Sequence, residues 1–412
     1  MSDAPAEVKH KRLLLAAWLW TGAAPARRDA GIVTQGDRVL ATGDASTLRR
    51  DHPDAELTDL GAVILIPGLV NPHAHLELTH HAQGERPASF VEWILRLRRR
   101  VENETDLPAA SLQAMRDGIA ESLRFGVTTI GDITNFPLLQ RTRLGDLPAR
   151  LVSFGEVRGM AARRGLASAM IDVAAERHGA VRIALSPHAP YSVERDVYRA
   201  CIDLARQRRL PLMTHLAELP YEAEFLAGHS GPLRELWGHL GGWDTHVPPF
   251  TGGPIRFASA IGLLDGPTLL AHVNYCDDDE LDLLAAGKAS VVYCPRTHAY
   301  FGHPPHRWRE MLARGINVVV GTDSRASSPD LNLLDDLRAL RRLAPDLPPD
   351  QLFAMATTRA ARALRWDDEV GSLMPGKFAD LAVFDVATGN PLMELLDGQH
   401  RPREVWVGGM RV

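Results

Sequence analysis

Two histidines two positions apart, His73 and His75, stand in "PGLVNPHAHLELTHH" just after an apolar, strand-like run, with Glu77 close behind. In extended backbone, side chains two positions apart point the same way, so both imidazoles are able to aim at one point. That is how a divalent metal is held when further ligands arrive from elsewhere in the chain. His215 in "THLAE" and Asp323 in "GTDS" are the candidates to complete the set. Together His73, His75, His215 and Asp323 offer three imidazoles and a carboxylate, enough for a metal that keeps a position open for water.

Further polar residues suit the chemistry of such a water. Glu218, three residues beyond His215, is placed to face the same cavity without being a ligand. A carboxyl there takes the water's proton and hands it to substrate; the structural alternative is a helix first-turn glutamate. His272 in "LLAHVN" is able to hydrogen-bond the water and steady it, with Asp323 helping as ligand and base. His188 in "SPHAPYS" is a candidate for substrate binding, and no lysine in that segment is available as a bridging carbamate, which favours a one-metal site. Glu77 stands open between binding a substrate hydroxyl and a supporting role. His80, His81, His298, His303 and His306 read as loop or supporting residues, yet "THAYFGHPPH" is unusual enough to line the pocket, with His298 as its substrate-binding candidate.

Something must bring these residues together. The strand candidates are "AVILIPGLV", "VTTIGDI", "RLVSFGEV", "VRIALSP", "LPLMTHL", "TLLAHVN", "ASVVYCP" and "INVVVGTDS", with helices such as "SLQAMRDGIAESLRFG" between several of them. Near-continuous apolar runs are what strands buried on both faces require. Eight in βα alternation predict an α/β chain built as a (β/α)8 TIM barrel, spanning 67–369. His73 and His75 then follow the first strand, His188 the fourth, His215 the fifth, His272 the sixth and Asp323 the eighth, all at C-terminal ends where a barrel's loops converge. Both chain ends read as short strands broken by turns, predicting one small discontinuous β-sandwich from 1–66 plus 370–412. The stretch from Leu219 to Leu264, rich in Gly, Pro and aromatics, reads as a cover over the substrate, with a packing excursion as the alternative.

Composition narrows the class. A chain of 412 residues with 45% hydrophobic and 24% charged content is ordinary for a globular protein with a sizeable core. A formal charge of -5 gives no general attraction to nucleic acid or an anionic membrane, so a small-molecule substrate is expected. The basic run "RLRRR" from Arg96 to Arg100 reads as the solvated face of a helix, with an anion site as the minor alternative. Cys201, Cys276 and Cys294 are odd in number and without a CxxC pair, which fits a reducing compartment. With no leader pattern in "MSDAPAEVKHKRLLLAAWLW" and no run of 18 or more apolar residues, a cytoplasmic location is expected.

Taken in order, "PGLVNPHAHLE", "SPHAPYS", "THLAE", "LLAHVN", "GTDS" and "GSLMPGKFADLAVFD" resemble the amidohydrolase superfamily, in its branch of metal-dependent deaminases and chlorohydrolases. The resemblance runs from about Asp37 to Val412. It implies one Zn²⁺, or iron in some members, on His73, His75, His215 and Asp323. It also implies that Glu218 carries a proton to a ring nitrogen while His272 and Asp323 orient and deprotonate the water. The implied enzyme is an aminohydrolase acting on C–N bonds of cyclic amidines, and association into a homo-oligomer is compatible with it. "NPHAHLEL" and "THLAE" are most similar to the aminodeoxyfutalosine deaminases of the futalosine route to menaquinone, so the expected substrate is a 6-aminopurine nucleoside derivative. Deaminases of methylthioadenosine, S-adenosylhomocysteine or guanine, and chlorohydrolases, are the alternatives; a scaffold that has lost its chemistry is disfavoured because no ligand is missing. One departure stands out: many relatives carry "CPxSN" after the seventh strand, whereas "CPRTHAYFGH" puts His298 in place of the asparagine. The zinc deaminases that act on nucleic-acid bases carry a PCxxC pair that this chain lacks.

Overall fold

The computed structural model describes residues 10–412, which form two eight-stranded sheets. The first stretch read above for a leader falls partly outside the described residues. Five strands come first: β1 (Lys11–Leu19), β2 (Arg27–Gln35), β3 (Arg38–Asp44), β4 (Glu56–Asp59) and β5 (Val63–Pro67). The barrel follows as β6 (Leu69–Ala74), β7 (Val127–Thr134), β8 (Arg150–Val157), β9 (Arg182–Pro187), β10 (Leu212–Leu216), β11 (Thr268–His272), β12 (Ser290–Tyr293) and β13 (Asn317–Val320). The chain ends in β14 (Leu381–Asp385), β15 (Glu404–Val407) and β16 (Met410–Arg411).

Barrel strands pair in sequence order, each parallel to the next. The ring is closed by a parallel bridge between Ala74 and Asp323, where the Asp323 N–H donates to the His73 carbonyl at 3.1 Å. Closure therefore sets a first-strand histidine beside the residue just past the last strand. Inside the barrel, Val70, Phe154, Ala184, Met213, Leu269 and Val319 share one core. Alternate positions such as Leu151, Ile183, Leu270 and Val318 pack outward with the helices. Both faces are thus dry, which is why the strands read as apolar runs rather than as alternation.

The terminal strands run in the order β16-β15-β14-β5-β1-β2-β3, with β4 beside β1, so the sandwich is a single hydrogen-bonded sheet. Leu14, Ile32, Val63, Leu65, Leu381 and Val383 form a core on one face. Their neighbours Ile64, Ile66, Ala382 and Phe384 point the other way, into the outer core of the barrel, as the two-residue period of a strand dictates.

"AVILIPGLV" is not a single barrel strand: Val63–Pro67 belongs to the terminal sheet, paired with β14, and only Leu69–Ala74 enters the barrel. Gly68 marks the break, because a Cβ there would come within 2.2 Å of the Thr128 side chain. No other residue fits so close an approach without displacing β7. "SLQAMRDGIAESLRFG" does fold as a helix, Leu107–Arg124, capped by the Asp106 carboxylate, which accepts from the Ala109 N–H at 3.1 Å. Among the described residues no helix is long and apolar enough to cross a membrane.

Candidate active site

At the C-terminal end of the barrel, His73, His75, His215, His272 and Asp323 converge, although the chain separates them by up to 250 positions. Two overlapping groups share His73: His73, His215 and His272 form one, His73, His75 and Asp323 the other, each with potential ligand atoms within 4.8 Å of one another. Asp323 Oδ1 lies 3.7 Å from His73 Nε2 and 3.6 Å from His75 Nε2, and His75 Nε2 lies 3.3 Å from His215 Nε2. Ligands at about 2.1 Å in a tetrahedron stand about 3.4 Å apart, so the spacing suits a divalent metal.

The tautomers agree with that fit. His215 Nδ1 donates to the His188 carbonyl at 3.1 Å and His73 Nδ1 contacts Met213 Sδ at 3.2 Å, which leaves each Nε2 with a lone pair facing the cluster. His73 Nε2 is buried with no hydrogen-bond partner among the described residues. Burial and the neighbouring imidazoles hold His73 well below the usual histidine range, and burial brings His215 down to about 4. Neutral rings are what a metal requires of its ligands.

Several backbone positions around the cluster are left-handed: Ala217 at φ +50, His272 at +76, Val273 at +52 and Asp323 at +59. Such conformations cost about 1 to 3 kcal/mol each in residues other than glycine and persist only when surroundings enforce them. Buried polar side chains do so here. Asn71 accepts from the N–H groups of His73 and Thr322, both at 3.3 Å, and donates to Thr322 Oγ1 at 2.7 Å. His306 Nε2 donates to the His272 carbonyl at 2.8 Å.

Glu218 and His272 face each other across 3.8 Å, Nε2 to Oε1. Burial, then the charges of Asp323 and Glu222, holds the Glu218 carboxyl well above the usual carboxylate range. The first-turn reading of Glu218 does not hold, since the helix begins only at Glu222. His188 reaches the same cavity, with Nδ1 at 2.6 Å from Ser192 Oγ and Nε2 at 3.7 Å from Glu156 Oε1. Glu77 also lines it, accepting from the Asn135 backbone N–H at 3.1 Å and side-chain amide at 2.5 Å. Burial pushes Glu77 up to about 7, against the pull of Asn135.

His298 is placed elsewhere. It lies on the helix Pro295–Phe301, packed against Tyr293, His303 and His306, and that helix presents Phe301 to the cavity instead. Burial brings His298 down to about 4 and His306 to about 3. The unfolded chain holds histidine near about 6.5, so unfolding takes up protons between that value and the folded one. The stability conferred by neutral rings is therefore full above pH 6.5 and is lost as pH falls towards 4. Replacing His298 by Asn should remove about one proton from the uptake on unfolding near pH 5, read as a shallower pH dependence of urea stability. An unchanged slope would mean that the ring is not held neutral in the fold.

The cavity has a volume of about 450 Å³. Its floor is the polar cluster; Phe90, Trp93, Ile94 and Leu97 from the helix Phe90–Glu102 and Leu236, Trp237 and Leu240 supply apolar wall, and Arg98 and Arg163 also reach it. Of the stretch from Leu219 to Leu264, only the helix Gly231–Leu240 lines the cavity, fixed by the Trp237 N–H donating to the Tyr191 carbonyl at 2.9 Å. Ile255, Phe257 and Ala258 farther along pack into the outer core. The helix Phe90–Glu102 packs beside the helix Gly231–Leu240 and also lines the cavity, so the run Arg96–Arg100 is solvated only in part: Arg98 lines the cavity and pairs with Glu102.

Residues not singled out from sequence also reach the cavity: Asn135 just past β7, Glu156 in β8, and Arg158, which pairs with Glu156 at 2.6 Å. The strand-end rule that finds the histidines finds these too when applied to the second and third barrel strands.

A closed parallel barrel with a histidine and aspartate cluster at its C-terminal mouth defines a barrel hydrolase with a candidate metal centre. The model of the "Amidohydrolase family" matches residues 64–412. An aminodeoxyfutalosine deaminase of Deinococcus radiodurans is 32% identical over 378 residues, covering 86% of this chain and 85% of that one. A 5-methylthioadenosine/S-adenosylhomocysteine deaminase of Nitratidesulfovibrio vulgaris is 29% identical, covering 88% of this chain and 80% of its own. Among solved structures, the Helicobacter pylori aminofutalosine deaminase in complex with methylthio-coformycin shares the fold with a TM-score of 0.84 at 23% identity, covering 97% of this chain and 100% of its own. An adenosine deaminase from Xanthomonas campestris with bound zinc does so with a TM-score of 0.80 at 21% identity, covering 98% and 92%. The chain belongs to the amidohydrolase family.

Proposed function

We propose that this chain is a hydrolytic deaminase of a 6-aminopurine nucleoside derivative, exchanging the ring amino group for oxygen from water and releasing ammonia. The observation that carries the reading is the pairing of Glu218 with His272, 3.8 Å apart, beside the cluster of His73, His75, His215 and Asp323. Aminodeoxyfutalosine deaminase and methylthioadenosine/S-adenosylhomocysteine deaminase relatives support the same reaction.

His73, His75, His215 and Asp323 would hold one divalent metal, Zn²⁺ by its fit to imidazole and carboxylate donors, with Fe²⁺ as an alternative. A metal so held acidifies a water and makes it a nucleophile near neutral pH. The protein does the rest. Asp323 and His272 orient the attacking water and accept its hydrogen bonds. Glu218, whose carboxyl burial holds well above the usual carboxylate range, gives a proton to the ring nitrogen beside the amino-bearing carbon and serves the leaving ammonia. His188 and Glu77 line the cavity as hydrogen-bonding partners of the substrate, and the aromatic walls offer apolar surface to its ring.

Ammonia release with a parallel ultraviolet scan tests this, using zinc-loaded protein and aminodeoxyfutalosine, methylthioadenosine, S-adenosylhomocysteine, adenosine and guanine. Fast turnover of one adenine compound, with the shift of adenine to hypoxanthine, is expected, and aminodeoxyfutalosine is the first substrate to try. Silence on every amino compound, with chloride released from a chlorinated triazine, would overturn deamination in favour of chlorohydrolysis.

A further inference from the structure

Glu222 is only 1% exposed, has no cationic partner among the described residues, and is absent from the lining of the cavity. Both of its carboxylate oxygens are nonetheless engaged. Oε2 accepts from the Ala217 N–H at 3.1 Å, while Oε1 accepts from Glu218 N–H at 2.7 Å and Leu219 N–H at 3.0 Å. Three successive backbone N–H groups thus converge on one buried carboxylate, in the segment where Ala217 is left-handed. A second anchor meets the same segment from another strand end: the Asn274 amide donates to the Glu218 carbonyl at 3.1 Å. The backbone of Glu218 is gripped at its N–H and at its C=O, which fixes the direction in which its side chain leaves the backbone.

We infer that Glu222, assisted by Asn274, is a positioning residue: it fixes the 217–219 turn so that the Glu218 carboxyl faces His272 rather than the solvent. This rests on the reading of Glu218 as the proton carrier. A carboxylate is an acceptor at both oxygens and so matches three donors, whereas an amide must turn an NH₂ group towards at least one of them. Glu222→Gln keeps shape and volume while breaking that match. Misplacement of a catalytic group by about 1 Å costs about 100-fold in rate, so a drop in kcat of that order with KM little changed is expected.

A merely structural glutamate would lower activity through the folded fraction or through the whole site. The decisive experiment is therefore a double-mutant comparison by single-turnover kinetics with enzyme in excess, on the zinc-loaded protein and its best adenine substrate. Glu222→Gln is measured in the wild-type background and in Glu218→Gln. If Glu222 acts through Glu218, its loss costs about 100-fold in the first and nothing in the second. Multiplication of the two losses, or an unchanged kcat in folded Glu222→Gln, would overturn the inference. Should Glu222→Gln fail to fold, Asn274→Ala carries the same test, with a smaller loss that again vanishes without the Glu218 carboxyl. Near-normal turnover by Glu218→Gln alone would instead defeat the reading of Glu218 and leave the geometry of the turn intact.

Discussion

Glu218→Gln should lower kcat by about 1,000-fold while bound zinc stays at wild-type stoichiometry. The amide fills the same space and keeps one acceptor, so the cavity and its floor remain, but it cannot carry a proton. Glu218 is not one of the proposed ligands and pairs with His272, 3.8 Å away, so metal content is the control that separates lost chemistry from a lost site. The fold should gain slightly. Burial and the charges of Asp323 and Glu222 all oppose the ionised form of Glu218, and a neutral amide escapes them. The checks are steady-state kcat, zinc by elemental analysis and the thermal midpoint. A kcat within tenfold of wild type would remove Glu218 from the mechanism.

How far the site is legible before the fold depends on what kind of signal each residue leaves. His73, His75, His215, His272 and Asp323 are polar residues at or just beyond the ends of apolar runs, and such breaks are visible because a strand buried on both faces leaves them no other place. Closure of the barrel between Ala74 and Asp323 then does what no local pattern states, bringing residues 250 positions apart into hydrogen-bond range. Gly68 was not legible as a boundary: "AVILIPGLV" is apolar throughout, and the break is set by Thr128, which sits close only once β7 is in place. The helix Phe90–Glu102 hides its role similarly. Its amphipathic pattern announces a buried face, but whether that face meets a core or an open cavity is decided by Phe301 and Trp237 from distant segments. His298 failed in the opposite way, since an unusual histidine-rich loop draws attention for composition while the turn of its helix sends the ring away from the cavity.

Chelation of the wild-type protein, and His73→Ala, should each abolish turnover, and the two should differ in what they do to stability. His73 is the hub of the cluster: its ring centroid lies 5.1 Å from that of His75, 5.2 Å from His215 and 5.6 Å from His272. Its Nε2 lone pair is buried without a partner among the described residues, so the ligand set carries an uncompensated polar cost that a cation removes. Zinc should therefore raise the thermal midpoint of chelated wild-type protein, by about 4 kcal/mol of stability when free zinc exceeds its dissociation constant about 1,000-fold. The same addition should restore activity. His73→Ala removes one lone pair and opens a cavity beside Met213, so the variant should bind zinc substoichiometrically, respond little to added zinc in its midpoint and stay inactive after loading. The pair of measurements separates metal as cofactor from histidine as packing. Full turnover by chelated protein, or a zinc response in His73→Ala equal to wild type, would show that His73, His75, His215 and Asp323 are a buried polar cluster and no metal site.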